Sequence, residues 1–158
     1  MKEGDAQTRR EFFTSSSQIA SAAAALAFLH GCGGGGSPSS SSPAVPSLTT
    51  IDATVVNGTI GFSVDAASPL AAVGGAALVQ TSSGRFLVAR TAPDAFVAFT
   101  ATCTHEGCTI TGYQSPRFVC PCHGSNFDTS GRPVSGPASR ALQQYATTFV
   151  GNVVSIAL

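Results

Sequence analysis

Two short segments hold most of the cysteine and histidine of this chain. The first, Cys103–Cys108, reads Cys-Thr-His-Glu-Gly-Cys, and the second, Cys120–Asp128, begins Cys-Pro-Cys-His-Gly-Ser. Together they contain four of the five cysteines and two of the three histidines. Core packing does not account for such a concentration, which is typical of a redox or metal site. The fold therefore has to bring two loops together.

These residue types suit more than one metal. Two cysteines and two histidines arranged as a tetrahedron are typical of zinc. The same four side chains, divided as two thiolates on one iron and two imidazoles on a second iron, suit a [2Fe-2S] centre. Spacing alone leaves both possibilities open.

The sequence from about residue 48 onwards predicts an all-β domain. Short apolar runs alternate with turn signals such as Asn57-Gly58 and Gly151-Asn152, and no segment has a sustained helical period. Many short, closely spaced strands indicate a small antiparallel sandwich or barrel. The predicted strands are Ile51–Asn57, Ile60–Val64, Ala76–Thr81, Arg85–Ala89, Phe96–Ala101, Arg117–Cys120, Tyr145–Val150 and Val153–Ala157.

The first 31 residues have the pattern of an export signal. Arg9 and Arg10 are followed by Phe12 and then by a mildly apolar, small-residue stretch over 15–29. The paired arginines resemble the twin-arginine signal, which carries folded proteins across the bacterial inner membrane. The stretch is shorter than the roughly 20 residues of a membrane-spanning helix. A poor amphipathic helix or a disordered tail is the alternative interpretation.

Cys32 ends the sequence Leu-His-Gly-Cys, which resembles a lipobox and implies that this cysteine is lipidated; a free cysteine near a cleavage point is the alternative. The residues after it are almost all Gly, Ser and Pro, which predicts a flexible tether. We therefore divide the chain into a signal (1–31), an anchor and tether (32–47) and a folded domain (48–158). The expected location is the periplasmic, extracytoplasmic face of a membrane.

The charge composition excludes one large class of function. Eight basic and eight acidic residues leave the chain with no net charge, and charged residues are only 10% of it. A protein that binds nucleic acid by neutralising phosphates needs a basic excess, so we expect no nucleic-acid partner.

Taken together, the two motifs closely resemble those of the Rieske iron–sulfur family, mainly over 102–137. The resemblance implies one [2Fe-2S] cluster per chain. Cys103 and Cys120 would bind one iron, and His105 and His123 would bind the other. It also implies the Rieske fold, in which the two loops form a cluster-binding subdomain.

The remaining two cysteines of the motifs match a disulfide of the family. The resemblance implies that Cys108 and Cys122 form the bridge that ties the two loops together in disulfide-containing members, which serve cytochrome bc-type complexes and arsenite oxidases. An oxidised bridge agrees with export, because structural disulfides persist outside the cytosol.

Five further positions would surround the cluster. Gly107 and Gly124 would let the backbone approach it without a side-chain clash. Ser125 matches the family hydroxyl that donates to a bridging sulfide. Gly136 and Pro137 resemble the family's proline loop, which covers the cluster from a third side.

The chain departs from the quinol-oxidising members at two positions. Phe127 stands where those members usually have a tyrosine whose hydroxyl donates to a ligand sulfur, so we expect a lower potential than theirs. Glu106 follows His105 where an apolar residue is common at the docking tip. A carboxylate there is costly if a partner buries it, although a solvated loop residue is an equal interpretation.

The resemblance implies an electron-transfer protein that is not catalytic alone, because the sequence outside the two loops offers no nucleophile, general base or substrate motif. The first hypothesis is the iron–sulfur subunit of a membrane-associated quinol–cytochrome c oxidoreductase. The second is a small subunit or carrier for another exported oxidoreductase, such as a molybdenum enzyme of the arsenite oxidase type. A dioxygenase-type ferredoxin and a zinc-stapled binding module are the remaining alternatives.

Overall fold

The computed structural model describes residues 45–158, so the predicted signal, Cys32 and most of the predicted tether lie outside it. Thirteen strands form three sheets in this part of the chain, and none of its segments is a helix that could cross a membrane. The strands are β1 (Thr49–Asp52), β2 (Thr54–Val56), β3 (Thr59–Ser63), β4 (Ala76–Thr81), β5 (Gly84–Ala92), β6 (Ala95–Thr100), β7 (Gly112–Gln114), β8 (Arg117–Val119), β9 (Asn126–Phe127), β10 (Pro133–Ser135), β11 (Gln144–Tyr145), β12 (Thr147–Val150) and β13 (Val153–Ala157).

The five-stranded sheet in the order β1-β4-β5-β6-β11, here called the central sheet, has both faces covered. Its β4 and β5 strands each contain four consecutive buried residues, Ala76–Val79 and Phe86–Ala89. Such continuous apolar runs are typical of strands packed on both sides. The central sheet therefore serves as the platform for the other two.

The sheet in the order β12-β13-β3-β2, here called the cover sheet, packs on one face of the central sheet. Alternate residues of β3 and β13 point inward, as the period of a half-buried strand requires. The core between the two sheets includes Ile60, Phe62, Val154 and Ile156 from the cover sheet and Val79, Val88, Phe96 and Ala98 from the central sheet.

The sheet in the order β10-β9-β8-β7, here called the loop sheet, lies against the opposite face of the central sheet. Its Phe118 and Phe127 are completely buried, and Phe118 packs edge-on against Phe99 of β6 with ring centroids 6.2 Å apart. The two Cys/His segments flank the loop sheet, so this second core positions them.

The all-β prediction is confirmed, and two strands have the predicted bounds, Ala76–Thr81 and Val153–Ala157. The predicted strand over Ile51–Asn57 is two strands, because the chain leaves the central sheet after Asp52 and joins the cover sheet at Thr54. The β1–β4 pair is parallel, unlike the antiparallel arrangement that we predict. The sequence analysis also misses β7, β9 and β10, each only two or three residues long.

Both predicted two-residue turns have the backbone that a tight hairpin requires. Asn57 and Gly58 have φ of 48° and 74°, and Gly151 and Asn152 have φ of 57° and 65°. Positive φ at both central residues is typical of type I′ turns, which favour Asn and Gly.

Asp128 closes the turn that leads from β9 to β10. Its Oδ1 accepts hydrogen bonds from Ser130 N (2.9 Å), Ser130 Oγ (2.8 Å) and Arg132 N (2.9 Å). Partial burial works to raise the pKa of the Asp128 carboxyl, but these hydrogen bonds outweigh it and the pKa is lowered. The charged carboxylate therefore stabilises the turn.

Replacing this carboxylate should change the pH dependence of stability. A lowered pKa in the folded state gives stability that is complete above the unfolded pKa of about 3.9 and is lost as the pH falls through the folded pKa. We expect Asp128→Asn to lower the free energy of unfolding at pH 7 and to have a smaller effect at pH 3. Urea unfolding at both pH values measures this, and an equal loss at both would contradict the role of the charge.

Candidate metal centre

The first Cys/His segment forms a closed loop, here called loop 1 (Cys103–Cys108). The Cys103 N–H donates to the Cys108 carbonyl at 2.8 Å, and the Gly107 N–H donates back to the Cys103 carbonyl at 2.9 Å. The loop follows directly from β6, so the buried core below fixes its base.

The second segment, loop 2 (Cys120–Ser125), repeats this pattern after β8. The Cys120 N–H donates to the Ser125 carbonyl at 2.8 Å, and the Gly124 N–H donates to the Cys120 carbonyl at 3.0 Å. Both loops thus begin with a cysteine at the base and carry a histidine in the turn.

Gly107 and Gly124 occupy the same place in their loops, with φ of 74° and 70°. A Cβ on either residue would meet no protein atom within 4 Å. Within the described residues, the need for glycine is therefore conformational, because other residues rarely adopt positive φ. The predicted close approach of these backbones to a cluster stays a prediction.

Cys103 and Cys120 are buried free thiols, with exposed fractions of 3% and 2%. Burial raises the pKa of the Cys120 thiol above its ordinary value, and the neighbouring Cys103 adds to the rise. The backbone N–H groups of Cys122 and His123 oppose it, because they donate to the Cys120 sulfur. Donors aimed at a buried sulfur stabilise a thiolate, which is the form that binds metal.

The two predicted imidazoles come together at the surface. The rings of His105 and His123 lie edge to face, with centroids 5.0 Å apart. The His123 side chain is 49% exposed, and its Nδ1 lies 3.7 Å from Oε2 of Glu106, which is 62% exposed. At this distance and exposure the contact contributes little. Glu106 lies at the solvated tip, which is one of the two interpretations that the sequence leaves open.

The predicted disulfide is present between Cys108 and Cys122, with an S–S distance of 2.09 Å. It joins the end of loop 1 to the middle of loop 2. Sγ of Cys120 lies within 4.8 Å of both bridged sulfurs, so the covalent link runs beside a thiol of the site. The bridge therefore holds the two loops in register with each other.

A third segment packs against loop 2 at Gly136, and the predicted covering of the cluster by Gly136 and Pro137 stays a prediction. A Cβ on Gly136, whose φ is 85°, would lie 2.5 Å from Cα of Ser125. The Ala138 N–H donates to Oγ of the fully buried Ser125 at 3.1 Å. Because a serine hydroxyl accepts and donates at once, its proton remains available to a further acceptor.

Two polar side chains, Asn126 and Thr104, also fix the loops, and neither is predicted from the sequence. The side-chain amide of Asn126 donates to the Gly124 carbonyl (2.8 Å) and to Ser135 Oγ (2.9 Å), which joins loop 2 to β10. The Thr104 hydroxyl donates to the Arg140 carbonyl at 2.7 Å, which joins loop 1 to a distant segment. No local sequence signal marks these pairs, because each partner is ordinary in its own surroundings.

Phe127, the residue at the position of the family's tyrosine, is completely buried in the core that also contains Cys103 and Cys120. It pairs with Phe118 across the β8–β9 ladder. The ring therefore fills the space below the two thiols without offering them a hydrogen-bond donor.

The donor set fits an iron–sulfur cluster of the Rieske type. Two buried thiols, one with backbone donors on its sulfur, lie at the bases of two loops whose turns present two imidazoles. This division into a sulfur pair and a nitrogen pair matches a [2Fe-2S] centre in which histidines replace cysteines on one of the irons.

Comparison with known proteins decides the family. Residues 63–146, more than half of the chain, match the family described as Rieske [2Fe-2S] domain. The chain belongs to the Rieske [2Fe-2S] domain family. Its cofactor is therefore a Rieske [2Fe-2S] cluster, and zinc is no longer an alternative. The predicted ligands are Cys103, His105, Cys120 and His123, and their individual assignment stays a prediction.

Named relatives of this Rieske chain match it over a limited stretch. The cytochrome bc1 complex Rieske iron-sulfur subunit of Mycobacterium tuberculosis is 49% identical over 58 residues, which cover 34% of this chain and 14% of that one. The cytochrome b6-f complex iron-sulfur subunit 2 of Cyanophora paradoxa is 51% identical over 43 residues, covering 27% of this chain and 18% of that one. The match thus spans less than a fifth of each relative's length.

A solved structure supports the fold. A chain in the complex of reduced oxygenase and oxidized ferredoxin of carbazole 1,9a-dioxygenase superposes with a TM-score of 0.50 and 26% identity. The superposition covers 61% of this chain and all of the other chain. The shared part of this chain thus corresponds to the whole of that chain.

Removing the close approach at Gly136 should weaken the metal centre. In Gly136→Ala the new methyl group collides with the Ser125 backbone, and the third segment has to move away. We expect iron release to a chelator to accelerate about tenfold, the lower end of the effect of outer-shell changes on metal sites. Visible circular dichroism measures the release. Gly61→Ala is the matched control, since its Cβ would meet nothing within 4 Å, and equal rates in both variants would contradict the expectation.

Proposed function

We propose that this protein is an exported one-electron carrier. It works either as a subunit of a membrane-associated oxidoreductase or as a separate electron-transfer protein that serves one. When bound, the [2Fe-2S] cluster supplies a site that takes up and returns one electron. The protein supplies the binding, orientation and exposure of that site and performs no catalysis alone.

The observation that carries this proposal is the separation of the two ligand pairs by depth. Cys103 and Cys120 are buried, whereas His123 is about half exposed. The thiols therefore hold the centre on the core side, and the imidazoles lie where a partner protein can come close. This asymmetry suits electron exchange at the histidine edge.

The residues around the site keep this edge in one geometry. The Cys108–Cys122 bridge joins the two loops, and Gly136 packs its segment against Ser125. Little reorganisation of the protein is then needed when the charge of the site changes, because the surrounding dipoles are already oriented. The folded domain thus holds the proposed redox site in one geometry.

The preferred partner is a quinol–cytochrome c oxidoreductase of the cytochrome bc type. Two relatives of this chain are named as iron–sulfur subunits of cytochrome bc1 and b6-f complexes. The disulfide between the loops supports the same proposal, because the sequence resemblance associates it with such complexes rather than with dioxygenase-type ferredoxins. The proposed role is to carry electrons from the quinol side towards a cytochrome.

An exported molybdenum enzyme of the arsenite oxidase type is the alternative partner. Phe127 and Glu106 favour it, since one removes the tyrosine donor of quinol-oxidising members and the other places an exposed carboxylate at the histidine edge. Glu106 bears on the contact with the partner protein, and Phe127 bears on the midpoint potential of the cluster. Neither residue changes the proposed role as an electron carrier.

The proposed location is the extracytoplasmic side of a membrane. Its support is sequence alone: the twin-arginine pattern over 1–31, the lipobox-like Leu-His-Gly-Cys ending at Cys32, and the Gly/Ser/Pro tether. Mass spectrometry of the N-terminal peptide from membrane fractions tests whether Cys32 carries lipid.

Purification of the complex from native membranes tests the partner. Co-purification with a cytochrome b supports the preferred function, and co-purification with a molybdenum-containing subunit supports the alternative. A chain that purifies with iron and acid-labile sulfide but with neither partner would overturn both subunit proposals and leave a free carrier.

Substitution of either proposed imidazole ligand should remove the spectroscopic signature of the centre. We expect His105→Ala and His123→Ala to abolish the characteristic EPR signal of the reduced protein, because one iron loses a ligand in each. Glu106→Gln is the matched control, since it changes the neighbour of both rings and leaves the imidazoles intact. Survival of the signal in either histidine variant would overturn the ligand assignment.

A hydroxyl added at Phe127 should raise the midpoint potential. The ring is fully buried beside Cys103 and Cys120, and a donor to a ligand sulfur stabilises the reduced, more negative state. Protein-film voltammetry of Phe127→Tyr measures the shift. Phe149→Tyr, in the other core of the domain, controls for the general effect of a new hydroxyl, and an unchanged or lower potential in Phe127→Tyr would contradict the hydrogen-bond interpretation.

A further inference from the structure

The first residues that the structure describes lie on the loop sheet, before the chain enters the central sheet at Thr49. The Tyr113 N–H donates to the Pro46 carbonyl at 2.9 Å, and the Leu48 N–H donates to the Thr111 carbonyl at 2.7 Å. Residues 45–48, here called the strap, therefore lie along the outer edge of β7. The sequence analysis assigns 45–47 to the tether, whereas these hydrogen bonds place them in the domain.

Gly112 shows how closely the strap lies on β7. It forms an isolated antiparallel bridge with Ser47 and is buried. A Cβ on Gly112 would lie 3.0 Å from Cγ1 of Val45 and 2.9 Å from the Val119 carbonyl oxygen. Only a glycine leaves room for the strap on one side and β8 on the other.

The strap also borders loop 2. Val45 and Ser47 line one groove of about 370 Å³ together with Cys120, Pro121 and Gly124. The groove is thus shared between the strap and the loop that carries two of the proposed ligands. One of those ligands, Cys120, is in its lining.

The end of the strap reaches the core under the site. Leu48 packs against the group of buried residues that contains Cys103, Cys120 and Phe127. The strap is therefore fixed at both ends, by Val45 over Gly112 and by Leu48 in the core.

We propose that the strap is a positioning element of the metal centre, holding loop 2 against the edge of β7 and keeping water from the Cys120 side. The apolar shell around a metal site controls the access of solvent and the local dielectric, and through them the stability and potential of the site. Val45 borders this flank, and Gly112 is the residue that lets it lie there. The strap acts through Cys120 and touches no electron partner.

The proposed role of the strap links the sequence between Cys32 and Val45 to the surroundings of Cys120. Twelve residues of Gly, Ser, Pro and Ala separate Cys32 from Val45. The chain therefore joins the domain beside loop 2, and anything that displaces the strap changes the surroundings of Cys120.

Val45→Asn in the full chain with its cluster bound tests the proposal. The variant places an uncharged polar group where an apolar one packs on Gly112. Val134→Asn is the matched control, because Val134 is 46% exposed on β10, the opposite edge strand of the same sheet. Gly112→Ala is the second strap variant, since its Cβ pushes the strap from the other side.

Three measurements report on each variant. Hydrogen exchange of the Tyr113 amide shows whether the strap has detached, and iron release to a chelator shows the protection of the site. The midpoint potential shows whether the surroundings of the cluster have changed. If the strap only covered the edge of β7, its displacement would leave this potential unchanged. Reduction adds a negative charge that water stabilises, so a detached strap should raise the potential.

We expect faster exchange at Tyr113, about tenfold faster iron release and a higher potential in Val45→Asn and Gly112→Ala, with Val134→Asn close to the unsubstituted protein. Faster exchange at Tyr113 with unchanged iron release and potential would overturn the proposal and make the strap an edge cover only. Equal acceleration of iron release in Val134→Asn would overturn it as well, because the effect would then not belong to the strap.

Discussion

The covalent bond between Cys108 and Cys122 is the interaction on which the metal centre depends. Loop 1 follows the central sheet and loop 2 follows a strand of the loop sheet, so the two loops have no ladder of backbone hydrogen bonds between them. The bridge closes a separation of 14 residues, and a loop of that length lowers the entropy of the unfolded chain by the equivalent of about 3 kcal/mol. More important for function, it places two thiols and two imidazoles of separate loops in one site.

The central sheet makes this arrangement possible in a small domain. Because both of its faces are buried, one sheet serves two cores, one towards the cover sheet and one under the two loops. The second core contains the thiols of Cys103 and Cys120 among its apolar side chains. The two thiols proposed as ligands are therefore part of the packing that stabilises the domain, and the His123 imidazole remains accessible. The burial of the two thiols and the exposure of this imidazole are consequences of the same packing.

Sequence patterns predict the parts of this structure that depend on neighbouring residues. The turns at Asn57-Gly58 and Gly151-Asn152 follow from the positive φ that these residues tolerate, and β4 and β13 follow from apolar runs between turns. The division of Ile51–Asn57 into two strands depends on partners elsewhere, since β1 pairs with β4 and β2 with β3. The strands β7, β9 and β10 are too short to produce a period, and long-range pairing alone defines them.

The same distinction applies to the site. The sequence by itself determined the chemical types of the ligands, the candidate bridge and the family resemblance, because these are encoded in two continuous segments. Only the tertiary structure decided that Gly136 touches Ser125, that Asn126 joins loop 2 to β10, and that Val45 lies over Gly112. Each of these contacts joins residues whose own surroundings in the sequence are ordinary. The physical reason is that close packing is a property of pairs distant along the chain, whereas ligand chemistry is a property of the side chains themselves.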